Sequence, residues 1–342
     1  MSSNFSSNVI LAKALAMYGK RVKGLDYDEL INCKSVSEVA SYLKNNTAYS
    51  PVLSQIDEIN IHRHELEALL KEKPINDLAI LGKYELTTKE IFSDFIIIKA
   101  EIEMIIHALM SLIAQKDFFY FKKVPDFFKI HTKIDLLILS NAKSYDDFFK
   151  AIEKTPYYKL LLPIKNNNDI NLSKAEQALY NYLYTKLFEI LTKIKNKKIR
   201  NNLKNLFVSY IDYSNFIRIL RIKHSLSNAS SFAILKNGSI KEKYLNDMMK
   251  ANTEADTFEI MYNIVQGKKL LKIQYSYIDQ IPMKALYYSC RHAIHSSSNS
   301  SIIFISYMFL SQIELSNIIN IIEGIRYNVS KDEIRKLLIL KA

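Results

Sequence analysis

The clearest pattern of apolar positions lies between residues 91 and 112. Its apolar side chains are spaced alternately four and three residues apart: Ile91, Phe95, Ile98, Ile102, Ile105, Leu109 and Leu112. This is the a/d pattern of a helix that packs against other helices by knobs-into-holes contacts. The sequence therefore predicts a long helix here. We expect it to pack within a bundle, because a dimeric coiled coil usually needs more heptads.

A second pattern occurs three times at equal spacing. It consists of a hydroxyl residue, an acid three positions later and apolar residues at helical spacing: Ser35 with Glu38, Ser144 with Asp147, and Thr253 with Asp256. This is the signature of a capping box, which begins a helix. Positions 35, 144 and 253 are spaced 109 residues apart, and this equal spacing predicts a tandem repeat. We expect three similar helical subdomains, residues 8–115, 116–223 and 224–342, that pack together because each alone would expose an apolar face.

Apolar spacing and turn residues predict further helices. They cover residues 9–18 after a disordered-looking start at residues 1–7, 27–31, 62–71 ended by Pro74, 173–194 capped near Ser173, 203–220, 283–295, and 302–323 stopped by Gly324. Glycine and proline number only six each. No glycine lies between Gly82 and Gly238, and no proline between Pro163 and Pro282. Because the tight turns of sheets need these residues, the sequence predicts an all-α protein.

Composition indicates where the protein acts and what kind of partner it binds. The 342 residues are 49% hydrophobic, enough for a core, and the two cysteines cannot form a disulfide framework. The first 25 residues lack a signal-peptide pattern, and the longest apolar stretch, residues 302–310, is too short to span a bilayer. We therefore expect a cytoplasmic protein. Its formal net charge of +12 favours an acidic partner, whether nucleic acid, anionic lipid or an acidic protein surface.

Motifs for catalysis or cofactor binding are absent from the sequence. It contains no G-x-x-x-x-G-K-[ST], G-x-G-x-x-G or G-x-S-x-G, and Gly267-Lys268-Lys269 lacks the upstream glycine and the hydroxyl of a phosphate loop. His62 and His64 fall on different sides of a helix. Cys290, His292 and His295 lack a fourth ligand, and helical spacing turns the thiol away from the imidazoles. We assign no catalytic, cofactor-binding or metal-binding residue.

Two basic segments have more than one interpretation. The first is Lys193, Lys195, Lys197, Lys198, Arg200 and Lys204, which is either a helix end projecting into water or a docking site for an acidic partner. The second is Arg218, Arg221 and Lys223, on the same predicted helix as Asn215. These side chains either line a polar cavity or extend to the surface. The 22 tyrosines are scattered at mostly apolar positions, so packing explains them better than base stacking.

Four stretches resemble a known family, the C subunit of bacterial and archaeal V/A-type rotary ATPases, which is called subunit d in the eukaryotic V-ATPase. They are residues 12–16 with 25–30, 37–43 with 47–49, 215–223, and 314–326 with 332–335. Residues 215–223 resemble the family pattern N-[LF]-[RK]-x-[IL]-[LI]-R-x-[KR], and residues 314–326 resemble the pattern E-x-x-N-[IL]-x-x-I-x-x-G. The sequence departs from the family in three places: Arg218 stands one position late, Asn320 replaces a common basic residue, and residues 17–21 carry less of the usual basic pattern.

The resemblance implies a funnel-shaped protein of three similar helical subdomains around a pseudo-threefold axis. Such a protein is a non-catalytic part of the central rotor, lying on the cytoplasmic face of the membrane. It couples the central-stalk subunits to the proteolipid ring and transmits torque for H⁺ or Na⁺ transport, without nucleic acid, cofactor or small-molecule substrate. It is associated with the membrane through the ring. The candidate partner-binding residues are Asn215, Arg218, Arg221, Lys223, Asn317 and Arg326.

Two other classes of protein are compatible with the sequence. The net charge alone suits a helical-repeat protein that binds nucleic acid or acts as a scaffold, and DNA binding that falls steeply with salt would indicate it. A helical bundle with a metal site is the other alternative, which metal analysis of the purified protein would detect.

Overall fold

The structure, a computed structural model, describes residues 2–85, 92–115, 125–166, 169–224 and 234–340. Ile91, the first position of the heptad pattern, lies outside these ranges. The helices are α1 (Ser2–Gly19), α2 (Gly24–Asn32), α3 (Val36–Asn46), α4 (Ser50–Leu53), α5 (Arg63–Leu70), α6 (Glu72–Glu85), α7 (Ser93–Ile113), α8 (Asp126–His131), α9 (Leu136–Ser140), α10 (Tyr145–Ile152), α11 (Pro156–Leu161), α12 (Leu172–Lys193), α13 (Lys197–His224), α14 (Glu242–Lys250), α15 (Glu254–Tyr262), α16 (Val265–Leu270), α17 (Ile281–Ser296), α18 (Ser300–Arg326) and α19 (Lys331–Leu337).

The remaining regular structure is small. Two 3-10 helices span Leu162–Ile164 and Ile278–Gln280. Two strands of two residues each, Lys165–Asn166 and Asp169–Ile170, pair antiparallel. The all-α fold class is confirmed. The pseudo-threefold arrangement within that class stays a prediction.

All three predicted caps are present. The side chains of Ser35, Ser144 and Thr253 accept hydrogen bonds from the backbone N–H three residues later, each from an extended backbone conformation. At Thr253 the acid completes the box by accepting the cap's own N–H, whereas at Ser35 and Ser144 the acid accepts the N–H of the preceding residue. The caps therefore satisfy amides that a helix start leaves without partners.

A local order of elements recurs around these caps. A short helix precedes each capped helix and another short helix follows it, giving α2–α3–α4, α9–α10–α11 and α14–α15–α16. Long helices come after each set. The repeat that the equally spaced caps predicted is therefore present as a recurring local order of helices. The division into subdomains 8–115, 116–223 and 224–342 stays a prediction, because contacts group the chain differently.

Contacts divide the chain into two compact units. Unit 1 comprises Met1–Ile97, Phe119–Thr132 and Cys290–Lys341, and unit 2 comprises Ile98–Phe118, Lys133–Ser289 and Ala342. In unit 1, α18 packs against α1, α6, α3 and α5. Its core includes Leu30, Leu43, Leu66, Ile318 and Ile322, each fully buried. In unit 2, α13 packs against α12, α14 and α15, around a core that includes Phe216, Met248, Met261 and Ile281.

The long helices are buried on more than one side. In α7 the heptad positions Phe95, Ile102, Ile105 and Leu109 are buried, and so are positions between them, such as Met104. A helix that is apolar all round lies inside a protein core. By length and composition α18 could cross a membrane, yet 78% of its most apolar window is buried within the protein. That burial is typical of a core helix.

Several predicted boundaries were wrong. The first helix begins at Ser2, so residues 2–7 are not a disordered start. Pro74 does not end helical structure but lies in the first turn of α6, where a missing N–H costs little. The cap of α12 is Asn171 rather than Ser173. Gly324 does not stop α18, which continues to Arg326 before Asn328 adopts a left-handed conformation.

Candidate partner-binding site

The predicted site residues fall on two helices in different units. Asn215, Arg218, Arg221 and Lys223 lie on α13 in unit 2, whereas Asn317 and Arg326 lie on α18 in unit 1. Within unit 2 the structure brings only Arg218 and Arg221 to the same cavity. The other two α13 side chains have different surroundings.

Arg218 and Arg221 line an open cavity of about 210 Å³ in unit 2. Tyrosines of α12 and α13 form much of its wall, an acidic residue contributes from the 3-10 helix before α17, and a methionine contributes from the first turn of α17. The lining residues are Tyr180, Tyr184, Tyr210, Ser214, Ile217, Arg218, Arg221, Leu235, Asp279, Pro282 and Met283. The cavity thus combines two guanidinium groups with aromatic walls. Such a surface suits a carboxylate carried on an apolar or aromatic segment.

Acidic groups lie close to both arginines of this cavity. Arg221 Nε and Nη2 lie 3.0 Å and 2.9 Å from Asp279 Oδ1, but both side chains are more than half exposed, so this ion pair contributes little to stability. Burial raises the pKa of the Glu176 carboxyl, while Arg218 and Arg221 act to lower it. Burial also raises the pKa of Tyr180, so its hydroxyl stays protonated. Arg221 therefore already binds an exposed carboxylate, which a partner's carboxylate could replace.

Asn215 is buried, with 1% of its surface exposed. Its Nδ2 donates to the carbonyl of Leu235 at 2.9 Å, and its Oδ1 accepts the N–H of Leu235 at 2.8 Å. Three residues earlier, Asp212 accepts the N–H groups of Ser239 and Ile240. These bonds fix the segment after residue 233 against α13. The geometry gives Asn215 a structural role, and its predicted contact with a partner is not tested.

Asn317 makes the same kind of contact in unit 1. Its Nδ2 donates to the carbonyl of Ile339 at 3.0 Å, and its Oδ1 accepts the N–H of Ile339 at 2.8 Å. Here too an acidic residue, Glu314, lies three residues earlier in the sequence. Its carboxylate accepts the N–H of Val22 at 2.8 Å. The sequence carries this recurring acid-x-x-Asn pattern at 212–215 and 314–317, a signal that the sequence analysis did not use.

Lys223 caps another helix. Its Nζ donates to the carbonyl of Ala251, directly after α14, and lies 3.5 Å from the carbonyl of Met249. The last carbonyls of a helix lack intrahelical partners and carry partial negative charge, so a lysine there is stabilising. The structure therefore gives Lys223 an internal contact.

Arg326 lies at the exposed end of α18. It shares an open cavity of about 380 Å³ with His62, Arg63 and His64, and its guanidinium lies 5.2 Å from the centre of the Tyr327 ring. Arg63 pairs with Glu67 and Glu323, so its charge is offset. Among the predicted residues on α18, Arg326 is accessible to a partner and Asn317 is not.

The segments considered for metal or phosphate chemistry have structural explanations. Among the described residues, no three His, Cys, Asp or Glu side chains are placed to hold a metal ion. Burial raises the pKa of the Cys290 thiol to about 12, which leaves it unreactive. At Gly267, the carbonyl oxygen of Met261 lies 1.8 Å from where a Cβ would stand. The close approach of α15 and α16 therefore requires this glycine.

One known family matches nearly the whole chain. The family model described as ATP synthase (C/AC39) subunit matches residues 10–337. The chain belongs to this family. No curated protein sequence matches the chain closely enough to refine the assignment.

Family membership confirms the predicted resemblance. It makes the chain a subunit of a V-type rotary ATPase and implies association with other subunits of that complex. Members of this family are structural subunits of the complex. The matched region includes both long helices that carry the predicted site residues, so the Arg218–Arg221 cavity belongs to the family region of the chain.

Proposed function

We propose that this chain is a non-catalytic subunit of the central rotor, which joins the central-stalk subunits to the membrane proteolipid ring and transmits torque between them. The observation that carries the proposal is the family match over residues 10–337. The sequence supports it, because it contains no G-x-x-x-x-G-K-[ST] phosphate loop. ATP hydrolysis then belongs to other subunits, and the transported ion, H⁺ or Na⁺, is bound by the ring.

A coupling subunit must resist deformation under load. Buried α7 and α18 support this role, since close-packed helical interiors have low compressibility. Internal hydrogen bonds add to it, as the side chains of Asn215 and Asn317 hold chain segments about 20 residues away against the long helices. Both features transmit a displacement instead of absorbing it.

The side-chain chemistry of unit 2 suggests where the stalk binds. We assign the stalk contact to the cavity of unit 2 that Arg218 and Arg221 line. Two guanidinium groups on one helix face can each bind a carboxylate with paired hydrogen bonds, and the tyrosine walls add apolar contact. We therefore expect the stalk segment that binds here to carry acidic side chains. Arg326 is a second, separate candidate for contact with a partner.

The location follows from these partners. A rotor subunit that joins the stalk to the ring lies on the cytoplasmic face of the membrane and is held there through the ring, as a peripheral component. The net charge of +12 suits acidic partner surfaces on both sides. A basic scaffold that binds nucleic acid, the alternative from composition, has no comparable support.

Charge reversal of the cavity tests the stalk contact. In a pull-down with the purified stalk subunits, the double variant Arg218→Glu, Arg221→Glu should lose most of the binding, because two attractive contacts become repulsive. The matched control is Lys198→Glu with Lys204→Glu, which makes the same change of charge at exposed positions of the same helix. We expect the control to bind nearly as the wild type does.

Two outcomes would contradict the assignment. Binding by the cavity variant at wild-type strength would remove Arg218 and Arg221 from the contact. Equal losses in both variants would show that net charge matters and that the cavity itself does not. Circular dichroism of both variants must match that of the wild type, so that misfolding does not explain a loss.

A further inference from the structure

The turn between α12 and α13 carries a dense group of cations. Its exposed members are Lys193, Lys195, Lys197, Lys198 and Lys204, which we call the basic tip. The sequence contains no acidic residue between positions 190 and 211. Five exposed lysines within twelve residues therefore face solvent with no acid among them along the chain.

The turn that presents the basic tip is held in one conformation. Ile194 is 2% exposed, and its carbonyl accepts a hydrogen bond from Arg200 Nη1 at 3.2 Å. Asn196 caps α13, since its Oδ1 accepts the N–H groups of Lys198 and Ile199 at 3.0 Å and 3.2 Å. Arg200 thus has a structural role, whereas the lysines project outward.

Helix stability does not explain where these lysines stand. Lys197 and Lys198 occupy the first turn of α13, whose N-terminus carries partial positive charge from the aligned peptide dipoles. Cations are unfavourable there, and acids are the usual residues. The arrangement adds the positive charge of the helix end to that of the side chains, which strengthens attraction for anions.

Neighbouring acids do not offset this charge. Among the described residues, none of the five lysines forms an ion pair. Glu189, the last acid before the tip, pairs with Lys186 at 2.7 Å. Asp212, the next acid along the chain, is 1% exposed and bound to Ser239 and Ile240. The tip is therefore a surface of uncompensated positive charge.

We propose that the basic tip binds the anionic headgroups of a lipid bilayer. Lysines act as mobile point charges, suited to a fluid surface of anions, whereas a shaped protein or phosphate site favours arginine. Residues 190–206 contain no aromatic side chain for stacking on bases. The choice of lipid over other polyanions rests on the proposed function, which brings the chain close to the membrane.

This contact is electrostatic and does not insert into the bilayer. Ile194 is buried and Ile199 is half-buried, so the tip presents no apolar side chain to the acyl region. Each lysine close to an anionic surface strengthens binding about fivefold, and salt screens the effect. Because lipids diffuse laterally, such a contact orients the subunit toward the membrane and hastens its encounter with the ring without blocking rotation.

Vesicle sedimentation of the full chain tests the proposal. At low salt the protein should sediment with vesicles of phosphatidylcholine mixed with phosphatidylglycerol and stay in solution with phosphatidylcholine alone. The variant Lys193→Gln, Lys195→Gln, Lys197→Gln, Lys198→Gln should bind the mixed vesicles about 100-fold more weakly or worse. The matched control, Lys241→Gln, Lys243→Gln, Lys250→Gln, Lys268→Gln, removes the same charge from exposed positions elsewhere and should lose less than about tenfold.

Three results would overturn the proposal. They are binding to neutral vesicles as strong as to anionic ones, equal losses in the tip variant and the control, or binding of duplex DNA by the tip at salt where vesicles are not bound. A stalk pull-down separates this test from the proposed function. If the tip variant and the wild type bind the stalk equally while neither binds vesicles, only the lipid contact fails.

Discussion

Asn215 and Asn317 show how far a side chain's surroundings can differ from what its sequence context suggests. Both belong to the stretches that supplied the candidate partner-binding residues, yet both are buried and both pair their amide group with the backbone of a residue 20 or 22 positions further along. An asparagine can satisfy one N–H and one carbonyl at once, a match that few side chains offer. Their contribution is to hold distant segments in place.

Replacing Asn215 should therefore destabilise the protein. Asn215→Ala leaves the N–H and carbonyl of buried Leu235 without their partners, at a cost of about 2 kcal/mol or more. Asn215→Asp should also destabilise the protein, since its carboxylate accepts the N–H but cannot donate to the carbonyl, and burying its charge is costly. Urea unfolding followed by circular dichroism measures the difference.

The matched control for this prediction is Asn202→Ala, an exposed asparagine on the same helix. Its unfolding midpoint should equal that of the wild type. If Asn215→Ala unfolds like the control but no longer binds the stalk, Asn215 acts in partner binding as the sequence predicted. Its hydrogen bonds to Leu235 then contribute little to stability.

The buried surroundings of Glu314 change the pH range in which its carboxyl ionises. Burial raises its pKa to about 7, against the opposing effect of Lys73, while Asp77 adds to the rise. Lys73 is itself paired with Asp77 at 2.8 Å, and the Tyr307 hydroxyl donates to the same carboxylate. The lysine is thus shared between acids, which leaves Glu314 incompletely compensated.

Stability should consequently fall as pH rises from about 4.5 to about 7. The folded state binds the Glu314 proton more tightly than the unfolded chain, in which the pKa is near 4.5. The stabilisation is therefore complete below that value and is lost between about pH 4.5 and 7, a change on the order of 3 kcal/mol. Glu314→Gln should remove most of this decline in melting temperature, whereas exposed Glu153→Gln should keep it. A wild-type profile that is flat over this range would contradict the assignment.

At the scale of elements, the three caps offer a direct test of the local repeat. Thr253→Ala removes the acceptor of the Asp256 N–H and should destabilise the protein by about 1 kcal/mol, and Ser35→Ala and Ser144→Ala should act similarly. Urea unfolding measures each change. Thr253→Ser keeps the hydroxyl and serves as control. If it costs as much as alanine does, the methyl group matters and the cap does not.

The elements that the sequence predicted well depend on neighbours along the chain. A cap needs only a hydroxyl and an N–H three residues on, so Ser35, Ser144 and Thr253 could be identified without a structure. Long helices such as α7 are indicated by apolar spacing alone. The all-α class follows from these features and from the scarcity of glycine and proline.

The errors occurred where distant contacts or helix position decide. Pro74 is a helix breaker in an interior but is tolerated in a first turn, and the sequence did not show which case applied, so α6 was missed. Gly324 looked like a stop signal. In the structure a Cβ there would stand 2.5 Å from Ile334 Cγ1, a contact that arises from folding. Similarly, the cavity lined by Arg218 and Arg221 depends on helix packing that no local pattern encodes.

At the scale of the whole molecule, local repetition and contact grouping describe different properties. The order of short and capped helices recurs three times, whereas contacts divide the chain into two units. A repeat in sequence fixes which local elements form, and packing of the long helices fixes which of them share a core. The three-subdomain arrangement therefore remains to be tested by experiment.

The last prediction concerns coupling in the assembled complex. If the chain links stalk to ring, its omission from a reconstituted complex should leave ATP hydrolysis running without ion transport, because rotation of the stalk no longer turns the ring. Adding back the wild type should restore transport, measured as an ion gradient in vesicles. The Arg218→Glu, Arg221→Glu variant should restore little, whereas Lys241→Glu, Lys243→Glu, which makes the same change of charge at exposed positions outside both proposed contacts, should restore most of it. Asn215→Ala should act in proportion to its folded fraction, since its defect is in stability. Full ion transport without the chain would exclude a coupling role, whatever the chain binds.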